Sequence, residues 1–247
     1  MAMQTTDLRW RVGGFTIIDG IDLAVRRGEF LSIIGPNGAG KSSLLNLMTG
    51  VHKPTGGSIT FGEVDVTGMR PANRVKLGLG RTFQTSSLFP GLTVLENARL
   101  AAQAAHGGSM NLFKGPRRGD KATQTALQNL AEVGMDHRAG DRVGDLAHGD
   151  KRKLEIALVL CGDPDVLLLD EPTAGVSVEE VQPLVDVVSD VHRRGRTVVM
   201  VEHRMDLVVG VSDRIAVIHH GQLLRCDTPE AVMDDAKVRD AYLGSDW

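Results

Sequence analysis

Three things are scarce in this chain of 247 residues: cysteine, long apolar runs, and an excess of either charge. The two cysteines, Cys161 and Cys226, lie far apart in apolar surroundings, without the spacing of a metal site. That pattern argues against a disulfide framework and suits a reducing compartment, with both thiols buried. No stretch approaches the roughly 18 consecutive apolar residues of a membrane-spanning helix. The segment Met1 to Arg11 lacks the basic-then-apolar order of a secretory signal. A cytoplasmic chain is therefore expected, with any membrane role supplied through a partner. Net charge is −3 with acidic and basic residues interspersed, so the broad positive field that direct nucleic-acid binding requires is missing. Internal repeats and low-complexity tracts are also lacking. What remains is an ordinary composition, 42% hydrophobic and 24% charged, enough for one large domain or a domain with a subdomain.

Short strand-like runs open the chain, at Leu8 to Val12, Thr16 to Val25 and Phe30 to Ile34, with Gly13-Gly14 and Arg27-Gly28 as turns. Ser58 to Phe61 reads as a further strand, and Pro71 opens a helix reaching about Leu77. Strand signals vanish between about Thr93 and Cys161. Helical spacing takes over in Val94 to Ala105, Lys121 to Val133 and Lys151 to Leu160, with a connector at His106 to Asp120. From Asp165 strands and helices alternate: strands at Val166 to Leu169, Thr197 to Val201 and Arg214 to Ile218, helices at Val178 to Arg194 and Arg204 to Val211. Such alternation predicts an α/β fold with a mainly parallel sheet and helices on both faces. A strand at Gly221 to Cys226 and short helices at Pro229 to Met233 and Ala236 to Tyr242 close the chain.

Between the strand ending at Ile34 and an apolar helix stands Gly35-Pro36-Asn37-Gly38-Ala39-Gly40-Lys41-Ser42, followed by Ser43. This is the spacing of a phosphate-binding P-loop. A phosphate chain needs many donors in a small concave space, and glycine lets backbone N–H groups converge without side chains intervening. Lys41 would reach the outer phosphates, Ser42 offers its hydroxyl to Mg²⁺, and the helix presents its positive end to the anion. Far downstream, Val166 to Leu169 is an apolar run ending in Asp170 and Glu171. That is the layout of a buried parallel strand delivering two acids to its C-terminal edge, where open α/β sheets bind ligands. Asp170 is placed to hold Mg²⁺, directly or through water, and Glu171 to polarise the water that attacks the γ-phosphate.

With these motifs in place, the chain resembles the nucleotide-binding subunit of an ATP-binding cassette (ABC) transporter from about Leu8 to Gly244. The resemblance implies one ABC ATPase domain over 1–247 with ATP and Mg²⁺ as its ligands. It also implies a P-loop NTPase core, an N-terminal antiparallel β subdomain and a helical signature subdomain at about 93–161. In that family Gln84, in Arg81-Thr82-Phe83-Gln84, would sense Mg²⁺ and the transmembrane partner, and His203 would contact the γ-phosphate. The signature loop, usually Leu-Ser-Gly-Gly-Gln, is matched in part by Leu146-Ala147-His148-Gly149-Asp150. Ala147 supplies no hydroxyl, but backbone N–H groups there could still bind a γ-phosphate held by the opposite subunit. Val12 aligns with the family's adenine-stacking aromatic, for which Trp10 or Phe15 could substitute. Ser177 stands where the family's interface loop ends in aspartate.

Within the superfamily, Arg81 to Gln84, Leu88-Phe89, Leu92 to Asn97, Ala147, Ala174-Gly175 and Tyr242-Leu243-Gly244 resemble the ATPases of branched-chain amino acid importers. Urea and amide importers, lipopolysaccharide exporters and non-transport ABC ATPases are the alternatives. The resemblance implies permease subunits, a solute-binding protein and a second ATPase, identical or related, at the cytoplasmic face of the cell membrane. Leu88, Phe89, Leu92 and Val94 would form a surface groove beside Gln84 for a short helix of the permease, with ordinary subdomain core as the alternative for each residue taken singly.

Overall fold

The computed structural model describes residues 1–82, 88–106 and 120–243. Contacts divide the chain into two units, one made of 1–81, 165–172 and 195 onward, the other of 82–164 and 173–194.

The first unit holds two sheets. Strands β1 (Met3–Val12), β2 (Phe15–Val25), β4 (Gly56–Phe61) and β5 (Val64–Asp65) form an antiparallel sheet in the order β2-β1-β4-β5. The second sheet joins β3 (Phe30–Ile34), β6 (Leu79–Arg81), β7 (Val166–Asp170), β8 (Thr197–Val201), β9 (Arg214–His219) and β10 (Gln222–Asp227) in the order β10-β9-β3-β8-β7-β6. It is parallel except for the antiparallel edge strand β10. β3, β7 and β8 are buried at every position, which is why their sequences are mostly apolar, with only Ser32, Asp170 and Thr197 as exceptions, and do not alternate. One core packs Leu31, Ile33, Leu168, Val199 and Ala216 of this sheet with Leu8, Ile21 and Ile59 of the other and with Leu44, Leu45 and Met48 of helix α1 (Lys41–Met48). Helices α2 (Pro71–Lys76), α7 (Met205–Val211), α8 (Pro229–Met233) and α9 (Ala236–Leu243) complete this unit.

The second unit is helical among its described residues. Helix α3 (Val94–Ala105) buries Val94, Ala98 and Ala102, a stripe at four-residue spacing. It packs with α4 (Lys121–Glu132), which buries Ala126 and Leu130, and with α5 (His148–Leu160), which buries Leu154, Ala157 and Leu160. The alanines let the helices approach closely. Thr93 and Glu96 form a reciprocal capping box on α3, and the Asp120 carboxylate accepts from the Thr123 N–H at the start of α4. Helix α6 (Val178–Arg193) buries Val181, Leu184, Val185, Val188 and Val191.

Several expectations change. β1 starts at Met3, not Leu8, because a bulge interrupts its alternation: Met3, Thr5 and Leu8 are buried, and the register shifts across Asp7, whose φ is 46°. β5 and β6 are short strands without a period-two signature. Helix α5 starts at His148, one turn before Lys151. The expected connector lies outside the described residues except for its ends, His106 and Asp120. Cys161 is buried, and burial pushes its thiol up to about 12. Cys226, expected to be buried, is only half-buried because β10 is an edge strand.

Candidate nucleotide and metal site

The P-loop joins β3 to α1 along the C-terminal edge of the parallel sheet, and backbone packing shapes it. A Cβ on Gly35 would lie 2.1 Å from the carbonyl oxygen of Ile218, and Gly40 adopts φ 105°. A side chain at Gly35 would have to displace main chain, and one at Gly40 would strain the backbone and press on the Ile18 side chain, 2.9 Å away. The Gly221 N–H donates to the Ala39 carbonyl (3.0 Å), so the β9–β10 turn braces the loop. Gly40 is the N-cap of α1 and provides no side-chain acceptor. Lys41 curls back, its Nζ donating to the carbonyls of Gly35 (2.6 Å) and Pro36 (3.0 Å). Burial lowers the Lys41 pKa, while the carboxylates of Glu171 and Asp170 act in the opposite sense.

At the end of β7 the side chain of Asp170 is 1% exposed. Its Oδ1 lies 3.4 Å from the Ser42 hydroxyl, and its Oδ2 accepts from Arg81 Nη2 at 3.0 Å. Glu171 follows with φ 48°, unusual for a residue with a side chain, and its N–H donates to the Val201 carbonyl (2.9 Å). The strand thus ends at Asp170, and the next carboxylate occupies a strained turn. A hydroxyl facing one carboxylate oxygen is a donor set that fits Mg²⁺, which keeps water and phosphate as most of its ligands. No cluster of three His, Cys, Asp or Glu suited to hold a metal alone occurs among the described residues.

His203 lies just past β8, with its side chain 58% exposed. Its N–H donates to Glu202 Oε2 (3.0 Å), and its Nδ1 lies 3.7 Å from the same oxygen, within electrostatic reach but too far for a hydrogen bond. Glu202 is fully buried. Sequence reasoning passed over it, although a carboxylate between an apolar strand and a histidine was the available signal. Gln84 and Phe83 lie outside the described residues.

Val12 is exposed and pairs directly across the hairpin with Phe15, which is 75% exposed. Trp10 is engaged elsewhere, its ring stacked on His52 with centroids 4.6 Å apart. Of the two aromatic substitutes, Phe15 is the one left open.

In the helical unit, Ala147 is the N-cap of α5 and supplies no capping hydrogen bond, so His148, Gly149 and Asp150 form the first helical turn and only Leu146 and Ala147 precede it. Gly149 is buried, and a Cβ there would lie 2.9 Å from the Glu180 Cβ. Asp150 forms ion pairs with Arg138 and, at 3.8 Å, with Lys153. Ser177 is the N-cap of α6, its hydroxyl donating to Glu180 Oε2 at 3.0 Å. Phe89 is 57% exposed on a turn held by the buried Asn97, whose side chain bonds both the Phe89 N–H (2.8 Å) and carbonyl (3.1 Å). Leu88 and Leu92 are half-buried. Val94 is fully buried as the first core residue of α3, which removes it from the expected groove.

Residues 18–174 match the sequence profile of the family described as ABC transporter, a span that includes the P-loop, the signature segment, Asp170 and Glu171. The chain is 38% identical to the high-affinity branched-chain amino acid transport ATP-binding protein LivG of Salmonella typhimurium, over 98% of this chain and 97% of that protein. It is 37% identical, with the same coverage, to the corresponding protein BraF of Pseudomonas aeruginosa. Among solved structures it is similar to the ADP conformation of an ATP-binding cassette of an ABC transporter, with 30% identity, a TM-score of 0.87 and 99% of each chain covered. The chain belongs to the ABC transporter family.

Proposed function

We propose that this protein is the ATP-hydrolysing subunit of an importer of branched-chain amino acids, attached to the cytoplasmic face of the membrane through permease subunits. The observation that carries the catalytic part is the meeting of Lys41, Ser42, Asp170 and Glu171 at one sheet edge. The transport part is supported by relatives that are named branched-chain amino acid transport proteins.

ATP phosphates replace the carbonyls of Gly35 and Pro36 as partners of Lys41 Nζ, and the uncapped N–H groups of α1 donate to the same phosphates. Ser42, Asp170 and Gln84 would hold Mg²⁺, which would supply positive charge to offset that of the phosphates. Glu171 takes the proton of the attacking water as the bond from the γ-phosphorus to the ADP oxygen breaks, releasing ADP and phosphate. His203, seated on the Glu202 carboxylate, donates to the γ-phosphate. Phe15, with Val12 beneath, offers the adenine a face. The segment Leu146 to Asp150 of a second ATPase, identical or related, closes the site through its free helix-start N–H groups. The exposed Phe89, on its Asn97-pinned turn, meets a cytoplasmic helix of the permease, and a solute-binding protein delivers the cargo.

Glu171→Gln is expected to lower steady-state Mg-ATP turnover by roughly 10²- to 10⁴-fold while ATP still binds. Normal turnover in that variant would remove Glu171 from the reaction. Co-purification tests the transport assignment: a solute-binding protein for amino acids supports it, whereas urea-import or export components overturn it.

A further inference from the structure

Arg81 is the last residue of β6, and its guanidinium reaches two other elements. Nη1 donates to Asn46 Oδ1 (2.7 Å) and Thr49 Oγ1 (2.9 Å) on the P-loop helix and the residue after it. The Thr49 hydroxyl donates onward to the Leu45 carbonyl (2.8 Å). Nη2 donates to Asp170 Oδ2 at 3.0 Å, with the Arg81 side chain 10% exposed and that of Asp170 1% exposed. The two oxygens of Asp170 therefore have separate tasks: Oδ2 is held by Arg81 and Oδ1 faces Ser42.

From this division we infer that Arg81 is a positioning residue for the metal. It fixes the rotation of the Asp170 carboxylate so that a single oxygen is presented beside the Ser42 hydroxyl. It also anchors that carboxylate to the helix that binds the phosphates. A buried carboxylate without such a partner would turn freely about its last bond and offer either oxygen or both. Mg²⁺ tolerates little departure from octahedral geometry, so a carboxylate locked to one-oxygen ligation favours it. Outer partners of this kind orient metal ligands. The planar fork of arginine fits the task because its separate nitrogens reach acceptors on α1 and β7 at once, which an ammonium cannot do.

The inference rests on Asp170 holding the metal, and the test separates the two claims. Wild type, Arg81→Ala and Arg81→Lys are compared for ATP affinity in EDTA and in Mg²⁺. Mn²⁺ binding to the ATP complex is followed by electron paramagnetic resonance, and thermal unfolding reports on the fold. Arg81→Ala is expected to weaken Mn²⁺ binding roughly 10- to 100-fold while ATP affinity in EDTA stays within about twofold. Arg81→Lys should fall between, with a Mn²⁺ spectrum broadened by mixed ligation. If Arg81→Ala does not fold, Arg81→Lys against wild type decides by the same readouts. Unchanged Mn²⁺ affinity and spectrum, or equal losses in EDTA and Mg²⁺, would overturn the inference, the latter by assigning Arg81 to support of α1 alone. Unchanged Mn²⁺ affinity of the ATP complex in Asp170→Asn would instead overturn the metal role of Asp170, and the inference with it.

Discussion

The P-loop and the signature segment each open a helix whose N-cap offers no side-chain acceptor, yet they reach that state by different means. Gly40 does so with a left-handed backbone, inside a loop walled by the Ile218 carbonyl and the Gly221 N–H. Ala147 does so with an extended backbone (φ −62°, ψ 164°) and side-chain neighbours, Glu180 against Gly149 and Arg138 against Asp150. By contrast, α3 and α4 are capped by Thr93 and Asp120. The two helix starts proposed to meet phosphate have no side-chain cap, as is also true of α2, α6 and α7, so a missing cap permits anion binding without by itself marking it. The difference between the two free starts explains their unequal match to the family pattern. A loop fixed by main-chain contacts admits few residues, whereas a helix start fixed by side chains admits compensated ones.

The largest expected effect is on the P-loop side. Lys41→Ala removes an ammonium already poised over the loop carbonyls. Since hydrogen bonds to charged groups contribute about 1.5–3 kcal/mol, ATP affinity should fall roughly 10- to 150-fold. Fluorescent-nucleotide titration checks this, and an unchanged affinity would mean that the phosphates do not replace the carbonyls. Next comes Gly149→Val on the signature side, where even the first added carbon meets Glu180. Overpacking of this kind costs about 1–3 kcal/mol, which thermal unfolding would show as a lower Tm. Gly149→Val combined with Glu180→Ala should recover only part of that loss, because alanine removes the Cδ and Oε1 contacts at 3.0 Å but keeps the Cβ at 2.9 Å, whereas a main-chain clash such as the one at Gly35 has no side-chain atom to remove.

How far the sequence discloses this site depends on the distance over which each group is positioned. The P-loop and the Asp170-Glu171 pair are local: glycine spacing and an apolar run ending in acids carry their geometry within a few residues. The alternation after Asp165 likewise revealed the parallel sheet. Arg81 acts through Asp170, 89 positions away in sequence, and no local pattern announces that pairing. Val94 stayed open between groove and core for a related reason, because one apolar residue at a helix start has no face until Ala98 and Ala102 define the buried stripe. Trp10 looked available until the fold placed His52 against its ring.

Ala147→Ser tests the uncapped start directly. A serine at this N-cap can accept from an N–H of the first turn and should stabilise the protein by about 1 kcal/mol. For a chain of this length that corresponds to a Tm increase of roughly 2–4 °C in differential scanning calorimetry. No increase would show that the α5 start lacks free donors, and the contrast with α3 and α4 would fail.

The smallest effect concerns a filled helix start. The Asp120 carboxyl is held at about 2, mainly because it accepts the Thr123 N–H, with Arg99 adding a weaker pull. Its ordinary value is 3.8, so the folded state binds this proton less readily than the unfolded chain. The stabilisation is complete above about pH 5 and disappears as pH falls toward about 2. Because the side chain is 32% exposed and screened by solvent, the contribution is about 1 kcal/mol or less. Asp120→Asn keeps an N-cap acceptor but does not titrate, so it should lose some stability at pH 7 and show a shallower decline between about pH 5 and pH 2 in urea unfolding. An identical acid limb in both proteins would show that Asp120 caps α4 without electrostatic gain. The capped helices would then differ from the free ones only in hydrogen bonding.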